Sequence, residues 1–125
     1  MRFLITFSLL MLSFGVFSQN DITNEISNAF AKGDAAAIVD HFQADVDMTV
    51  LDEEDVYSPE EAREVLEKFF AEHNPTGFKV KHEGTSKLND QYRIGDLTTD
   101  NGSFRVTFFL KGKSNVMKIE QLRIE

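Results

Sequence analysis

The pattern of apolar residues changes once along the chain. From Ile22 to His73 apolar positions mostly recur at three- and four-residue spacing, which is typical of helices. From Phe78 to the end they mostly alternate with polar residues, which is typical of strands. We therefore predict helices and a single strand in the first half, and an antiparallel sheet in the second.

Two helices are predicted near the start of this pattern. The first begins near residue 20 or 21 and ends at Gly33, because glycine is favoured directly after a helix. Asp34 is placed to cap a second, short helix from Ala35 to His41. The KGD sequence is therefore predicted to be a corner between two helices.

An acidic stretch, LDEEDVYSPEEA, covers residues 51–62 and contains the start of the third helix. Ser58 is the predicted N-cap, Pro59 occupies the first helical position, and Glu61 completes a capping box. The helix ends before Pro75. Residues 52–55 lack the glycine and glutamate spacing of an EF-hand loop, so we interpret them as a solvated turn, with a weak cation site as the alternative.

Five strands are predicted. The first covers residues 46–50, and four more follow residue 78. Asn101–Gly102 is the strongest hairpin signal in the chain, and it predicts that Leu97 pairs with Val106. A bulge near residues 120–121 would place all apolar residues of the last strand on one face.

The two faces of the sheet follow from these turns. A two-residue loop at Asn89–Asp90 would pair His82 with Leu97. Combined with the other hairpin, this register predicts an inner face with Phe78, Val80, His82, Leu97, Phe104, Val106, Phe108 and Leu110. The outer face would carry three apolar side chains among charged ones: Tyr92, Ile94 and Phe109. These three are either a dimer patch or ordinary exposed surface.

The predicted elements define an α+β fold in which three helices pack on a curved antiparallel sheet. The stretches that mark it are AFAKGDAAAIVDHF, VDMTVLDEEDVYSPEEAREVLEKFF, QYRIGDLTTDNGSFRVTFFL and KIEQLRIE. They resemble an exported bacterial family of unknown function with a nuclear transport factor 2-like fold, the fold of the SnoaL and ketosteroid isomerase proteins. The resemblance implies a cone with a cavity at its open end and a homodimer formed through the sheet. It implies no single activity, because such folds include isomerases, cyclases, dehydratases and binding domains.

Residues 1–18 have the pattern of a secretory signal peptide. Arg2 precedes an apolar run from Phe3 to Leu12, and Val16 and Ser18 satisfy the small-residue preference for cleavage before Gln19. The apolar run is shorter than the about 20 residues that a membrane span needs. We predict an exported protein, periplasmic or secreted, with one domain over residues 19–125 and no membrane insertion after cleavage.

Composition excludes several kinds of chemistry. The chain has no cysteine, and therefore no disulfide, zinc–thiolate site or thiol nucleophile. Its net charge is −8, and −9 once Arg2 is removed, which argues against nucleic acid and anionic membranes as partners. The three histidines have no metal-binding spacing, and no nucleotide or serine-hydrolase motif occurs. We predict no metal site and no cofactor.

A ligand or substrate site is expected on the predicted inner face. His82 is the candidate general base for an enzyme that moves a proton next to a carbonyl group, although a lone histidine there is also explained as a hydrogen-bonded core residue. Arg93 at the cone mouth is the candidate for holding an anionic ligand, although a solvated arginine is the simpler interpretation. The remaining pocket candidates are Thr99, Phe69, Phe70 and Phe108.

Two functional hypotheses follow. The first is a non-catalytic domain that binds a small apolar or weakly anionic ligand or a protein partner; it predicts that phenylalanines, including Phe69, Phe70, Phe104 and Phe108, fill the cone. The alternative is an isomerase, cyclase or dehydratase with a cavity lined by His82 and a second polar group. A scaffold whose outer sheet face docks a partner is a third possibility.

Overall fold

The computed structural model describes residues 19–85, 90–113 and 116–125. The predicted signal peptide lies outside these residues, as does Asn89 of the predicted turn. In chain order the elements are α1 (Gln19–Lys32), α2 (Ala35–Val39), β1 (Phe42–Val50), β2 (Glu53–Tyr57), α3 (Pro59–Glu72), β3 (Pro75–Thr85), β4 (Gln91–Thr99), β5 (Gly102–Lys113) and β6 (Val116–Ile124).

The strands form one six-stranded sheet in the order β2-β1-β6-β5-β4-β3. Four of the five pairings are antiparallel, and β1 pairs in parallel with β6. Apolar side chains from α1, α2 and α3 share one core with the inner face of the sheet. The predicted α+β fold of three helices on a curved sheet is confirmed, with one strand more than predicted and one parallel pairing that makes the sheet mixed.

The helix ends have the predicted local chemistry. Gly33 has a φ of 68°, which only glycine adopts without strain, and the Asp34 carboxylate accepts a hydrogen bond of 3.1 Å from the Ala37 amide. Ser58 Oγ accepts from the Glu61 amide at 3.2 Å, and Glu61 Oε1 accepts from the Ser58 amide at 3.1 Å. The predicted corner and capping box are therefore confirmed.

The acidic stretch differs from its prediction as a turn. The turn consists of Leu51 and Asp52, and Leu51 has a φ of 57°. Residues 53–57 continue as β2, which pairs with β1 and forms one edge of the sheet. All four residues from Glu53 to Val56 are exposed, and charged side chains on an edge strand discourage pairing with other chains.

The β4–β5 hairpin is present, but its register is shifted by two residues. Leu97 pairs with Phe104 instead of Val106, because the turn consists of Asp100 and Asn101 and Gly102 already belongs to β5. Thr99 stabilises this turn: its hydroxyl donates to the Gly102 carbonyl at 2.7 Å. A shift by an even number of residues leaves each side chain on its predicted face.

The predicted β3–β4 register is wrong, and the error changes the face of His82. His82 pairs with Ile94, three residues from its predicted partner Leu97, and an odd shift moves a side chain to the opposite face. The pairing register shifts by one residue between Val80 and His82, so Lys81 is the extra residue of a β-bulge. His82 is therefore exposed on the outer face. The predicted bulge in β6 is confirmed, at Glu120.

Candidate functional site

Phenylalanine side chains fill the space between the helices and the sheet. We call the following six residues the phenylalanine cluster: Phe30, Phe69, Phe70, Phe78, Phe104 and Phe108. The Phe30 ring stacks on Phe78 and Phe108, with ring centroids 5.2 and 6.4 Å away, and meets Phe70 edge-on at 6.2 Å. Phe69 lies edge-on to Phe104 at 5.2 Å. These ring contacts have the stacked and edge-on geometries that aromatic side chains prefer in a packed core.

The three phenylalanines that were candidates for lining a pocket are core residues of this cluster. Phe69, Phe70 and Phe108 are 3%, 7% and 0% exposed. Their neighbours are other core side chains, so they contribute apolar burial to the stability of the fold.

Arg93, the candidate for holding an anion, is buried and bonded within the chain. Its Nε donates to Thr23 Oγ1 of α1 at 3.0 Å, and Nη2 donates to Gln91 Oε1 at 2.7 Å. Nη1 donates to the Tyr92 carbonyl at 3.0 Å, and Nε lies 3.7 Å from the Glu83 carboxylate. Arg93 thus attaches α1 to β4, and its guanidinium is already occupied by protein groups.

Thr99, the remaining inner-face candidate, is the last residue of β4, and its hydroxyl is hydrogen-bonded to the adjoining β4–β5 turn. The same turn contacts the end of α3. Asn101 Nδ2 donates to the Glu72 carbonyl at 2.9 Å, and Asn101 Oδ1 lies 2.6 Å from His73 Nδ1. The His73 ring packs between Phe69 and Phe104, at 4.7 and 4.8 Å. Asn101 therefore satisfies a carbonyl at the end of α3, a role that its position in a hairpin turn did not reveal from sequence.

A small cavity of about 270 Å³ lies between α3 and the β1–β2 turn. Val50, Val65 and Phe69 form its apolar side, and Lys68 and Glu72 are at its rim. Phe69, itself a member of the phenylalanine cluster, lines this cavity and packs edge-on against Phe70 and Phe104 of the same cluster. Truncation of that side chain would therefore extend the cavity into the interior.

A larger concavity of about 500 Å³, which we call the outer groove, lies on the outer face of the sheet. It is lined by Lys81, His82, Ile94, Asp96 and Arg105. Asp96 is directly opposite Arg105 in the register, and Lys81 Nζ lies 3.9 Å from Asp96 Oδ2. Both members of the latter pair are about half exposed, so the pair contributes little stability. The groove brings His82 together with two cationic side chains in a site open to solvent.

The outer face also carries an aromatic pair. Tyr92 and Phe109 are opposite each other in the register, with ring centroids 6.2 Å apart. The Tyr92 ring lies over Gly84, where an added Cβ would be 2.3 Å from the tyrosine oxygen. Gly84 therefore permits this placement of the Tyr92 ring beside the outer groove.

One carboxyl group of β6, close to the residue that precedes β4, has a perturbed pKa. Burial raises the pKa of Glu120, and a hydrogen bond with Asp90 together with the charge of Asp90 raises this pKa further, whereas Lys111 lowers it. Within residues 19–85, 90–113 and 116–125, no cluster of three or more acidic or histidine side chains is arranged to hold a metal ion. None of the described helices is long and apolar enough to span a membrane.

Comparison with known proteins identifies the family. Residues 23–125 match a family described as Domain of unknown function (DUF4783). The chain belongs to the DUF4783 family. It is similar to a DUF4783 protein of Bacteroides fragilis, with 30% identity and a TM-score of 0.73, covering 80% of this chain and 93% of that one. It is also similar to a DUF4783 protein of Bacteroides uniformis, with 27% identity and a TM-score of 0.76, covering 83% and 95%.

A more distant structure supports the fold of this DUF4783 domain. An NTF2-like protein of unknown function from Cytophaga hutchinsonii has 12% identity and a TM-score of 0.59, covering 91% of this chain and 93% of that one. None of the curated proteins matches the sequence. The resemblance to a family of unknown function with a nuclear transport factor 2-like fold is therefore confirmed.

The sequence of this DUF4783 chain did not lead to a prediction that the cationic side chains of its last two strands share the outer face. Lys111 of β5 and Lys118 and Arg123 of β6 are exposed on the same face as Arg105. Their alternation with the buried residues of β5 and β6 was the available signal.

Proposed function

We propose that this chain is an exported, non-catalytic binding domain whose partner binds outside the packed interior. The observation that carries the proposal is the phenylalanine cluster, which occupies the space where a cone would hold a ligand. Among the described residues the buried polar side chains are Thr23, Arg93 and Thr99, and each is hydrogen-bonded within the chain. Within the described residues, this interior therefore presents packed apolar rings and polar groups that are already paired, whereas a substrate site needs convergent polar groups that are free to bind.

The alternative, an enzyme with His82 as general base, receives less support from the same geometry. Stabilising an enolate oxygen requires donors in a site sheltered from water. His82 lies instead in the outer groove, beside the cationic side chains of Lys81 and Arg105 and open to solvent. A carbonyl substrate bound there would remain hydrated.

An apolar fluorescent probe tests whether the interior is closed. N-phenyl-1-naphthylamine becomes brightly fluorescent in apolar cavities, and we expect no saturable increase with the wild-type protein. The matched control is Phe69→Ala, which should open the 270 Å³ cavity into the interior and produce saturable probe binding. Saturable binding by the wild-type protein would overturn the proposal, because the domain would then possess an apolar ligand site.

Export is tested by processing of the full chain in a bacterial host. We expect the product to be recovered from the periplasm or medium, with Gln19 as its first residue by intact mass and N-terminal sequencing. Leu9→Arg places a charge within the apolar run and should leave the precursor unprocessed inside the cell. Recovery of wild-type chains that retain residues 1–18 would contradict the proposed signal peptide.

A further inference from the structure

The charges of the chain are divided between two halves of the fold. Residues 19–72, which form the helices and β1–β2, contain three basic and fifteen acidic residues, a net charge of −12. Residues 73–125, which form β3–β6, contain nine basic and six acidic residues, a net charge of +3. We call residues 73–125 the positive half of the fold. Its four strands are neighbours in the sheet, in the order β6-β5-β4-β3, so this half forms one continuous side of an acidic protein.

Exposed cations of this half are gathered on the outer face. We call the following six exposed residues the basic face: Lys79, Lys81, Arg105, Lys111, Lys118 and Arg123. Lys111 and Lys118 are directly opposite each other in the register. The Glu120 carboxyl group lies near Lys111, and Lys118 Nζ donates to the Asp40 carbonyl at 3.5 Å, so each lysine has a partner within the chain that reduces their mutual repulsion. Asp96 and Glu125 are acidic residues in the same rows, and Asp90 and Glu120 lie beside Lys111; the six cations of the basic face outnumber these four carboxyl groups.

The centre of the basic face is apolar and concave. Tyr92, Ile94 and Phe109 are half-buried there, and Ile94 lies in the outer groove between Lys81 and Arg105. Aromatic residues and arginine at the centre, with charged residues around them, are the features that distinguish protein-binding surfaces from the remaining surface. The groove volume of about 500 Å³ is sufficient for a side chain of a partner.

We propose that the basic face binds a short acidic segment of a partner protein. Carboxylates of the segment pair with Lys81 and Arg105, and an apolar side chain next to them contacts Ile94. Charge complementarity of this kind increases the association rate and selects against partners of the wrong sign. The inference rests on the proposed function, since it assigns the partner of the binding domain to its outer face.

The size and borders of the basic face favour a short protein segment over a long polyanion. Four strands span about 14 Å, and the distance from Arg105 to Lys111 along β5 is about 20 Å, the length of about six extended residues. Beyond β6 the outer face continues onto β1 and β2, where Asp47 and Glu54 point outward. A long polyanion would extend beyond the basic face onto these carboxylates. The net negative charge of residues 19–72 would then repel it.

Blocked hexaglutamate is the probe that tests the proposal, titrated into the ¹⁵N-labelled processed protein at low salt. We expect saturable shifts of backbone amides in β3, β4 and β5 around the outer groove, and none with blocked hexaglutamine. Arg105→Gln and Lys81→Gln should each weaken binding by about threefold or more, because each removes one exposed charge contact. Arg63→Gln on α3 is the matched control and should leave the affinity unchanged, with equal thermal midpoints showing that all variants fold.

Three results would overturn the proposal. Hexaglutamate could cause no localised shifts. Oligothymidylate or an oligouronate of similar charge could bind the same amides as tightly as the peptide, which would assign the basic face to another class of polymer. Sedimentation could show a dimer that Arg105→Glu dissociates, which would assign it to a second copy of the chain. None of these results affects the naphthylamine test, so failure here is distinguishable from failure of the proposed function.

Discussion

Replacing Phe108 with alanine should lower the free energy of unfolding by about 3–5 kcal/mol, the usual cost of removing a buried aromatic ring. Phe108 is fully buried, and its ring stacks on Phe30 at 6.4 Å. Since small domains have about 5–15 kcal/mol of stability in total, this single change brings the protein close to unfolding. Urea denaturation followed by far-UV circular dichroism measures the difference.

The adjacent residue supplies the control. Phe109 has the same side chain on the same strand, but it is half-exposed on the outer face beside Tyr92. Phe109→Ala should therefore cost only about 1 kcal/mol, because less apolar area returns to water. If both substitutions lowered the free energy of unfolding equally, the assignment of Phe108 to the inner face and of Phe109 to the outer face would be wrong. If Phe108→Ala does not fold, Phe108→Leu gives the same comparison at a smaller cost.

Gly95→Ala should have the next largest effect, a loss of about 1–3 kcal/mol from overpacking. An added Cβ at Gly95 would lie 2.6 Å from the Phe78 ring and 2.8 Å from the Lys79 carbonyl oxygen. The carbonyl belongs to the paired backbone of β3, and the Phe78 ring is held against Phe30, so neither neighbour can move freely.

Gly77→Ala is the matched substitution in the neighbouring strand. An added Cβ at Gly77 meets nothing within 4 Å, so we expect stability to change by less than about 1 kcal/mol. Thermal denaturation of both variants measures the contrast. A Gly95→Ala protein as stable as Gly77→Ala would show that β3 and β4 are not in the register described, since the close contact follows from that register.

Features set by neighbouring residues were predictable from sequence, whereas features set by distant residues were not. The capping box at Ser58 and the bulge at Glu120 depend on a few adjacent positions, and both are as predicted. The face of His82 depends on how many residues the β3–β4 connection uses, and a two-residue loop was the wrong assumption. The parallel pairing of β1 with β6 joins residues 74 to 77 positions apart, for which no local signal exists.

The candidate site was less predictable than the fold, because its residues depend on register and on packing. Arg93 and Thr99 were assigned to the inner face from alternation, and they are there, but their hydrogen bonds to Thr23 and Gly102 could not be read from spacing. Net charge was similarly incomplete evidence about partners. The net charge of the chain combines a charge of −12 on residues 19–72 with a charge of +3 on residues 73–125. A partner, however, interacts mainly with the charges of the face that it binds.

The position of β6 has a consequence for how the chain acquires its structure. This last strand lies between β1 and β5, so it joins the β2–β1 hairpin to the meander of β3, β4 and β5. Until residues 116–124 have been synthesised, the two parts are bridged by α3 but have no strand between them, so the sheet cannot close. High contact order of this kind slows folding, and a nascent or truncated chain that lacks the last ten residues exposes two unpaired strand edges. We therefore expect the complete six-stranded sheet to form only once residues 116–124 are available.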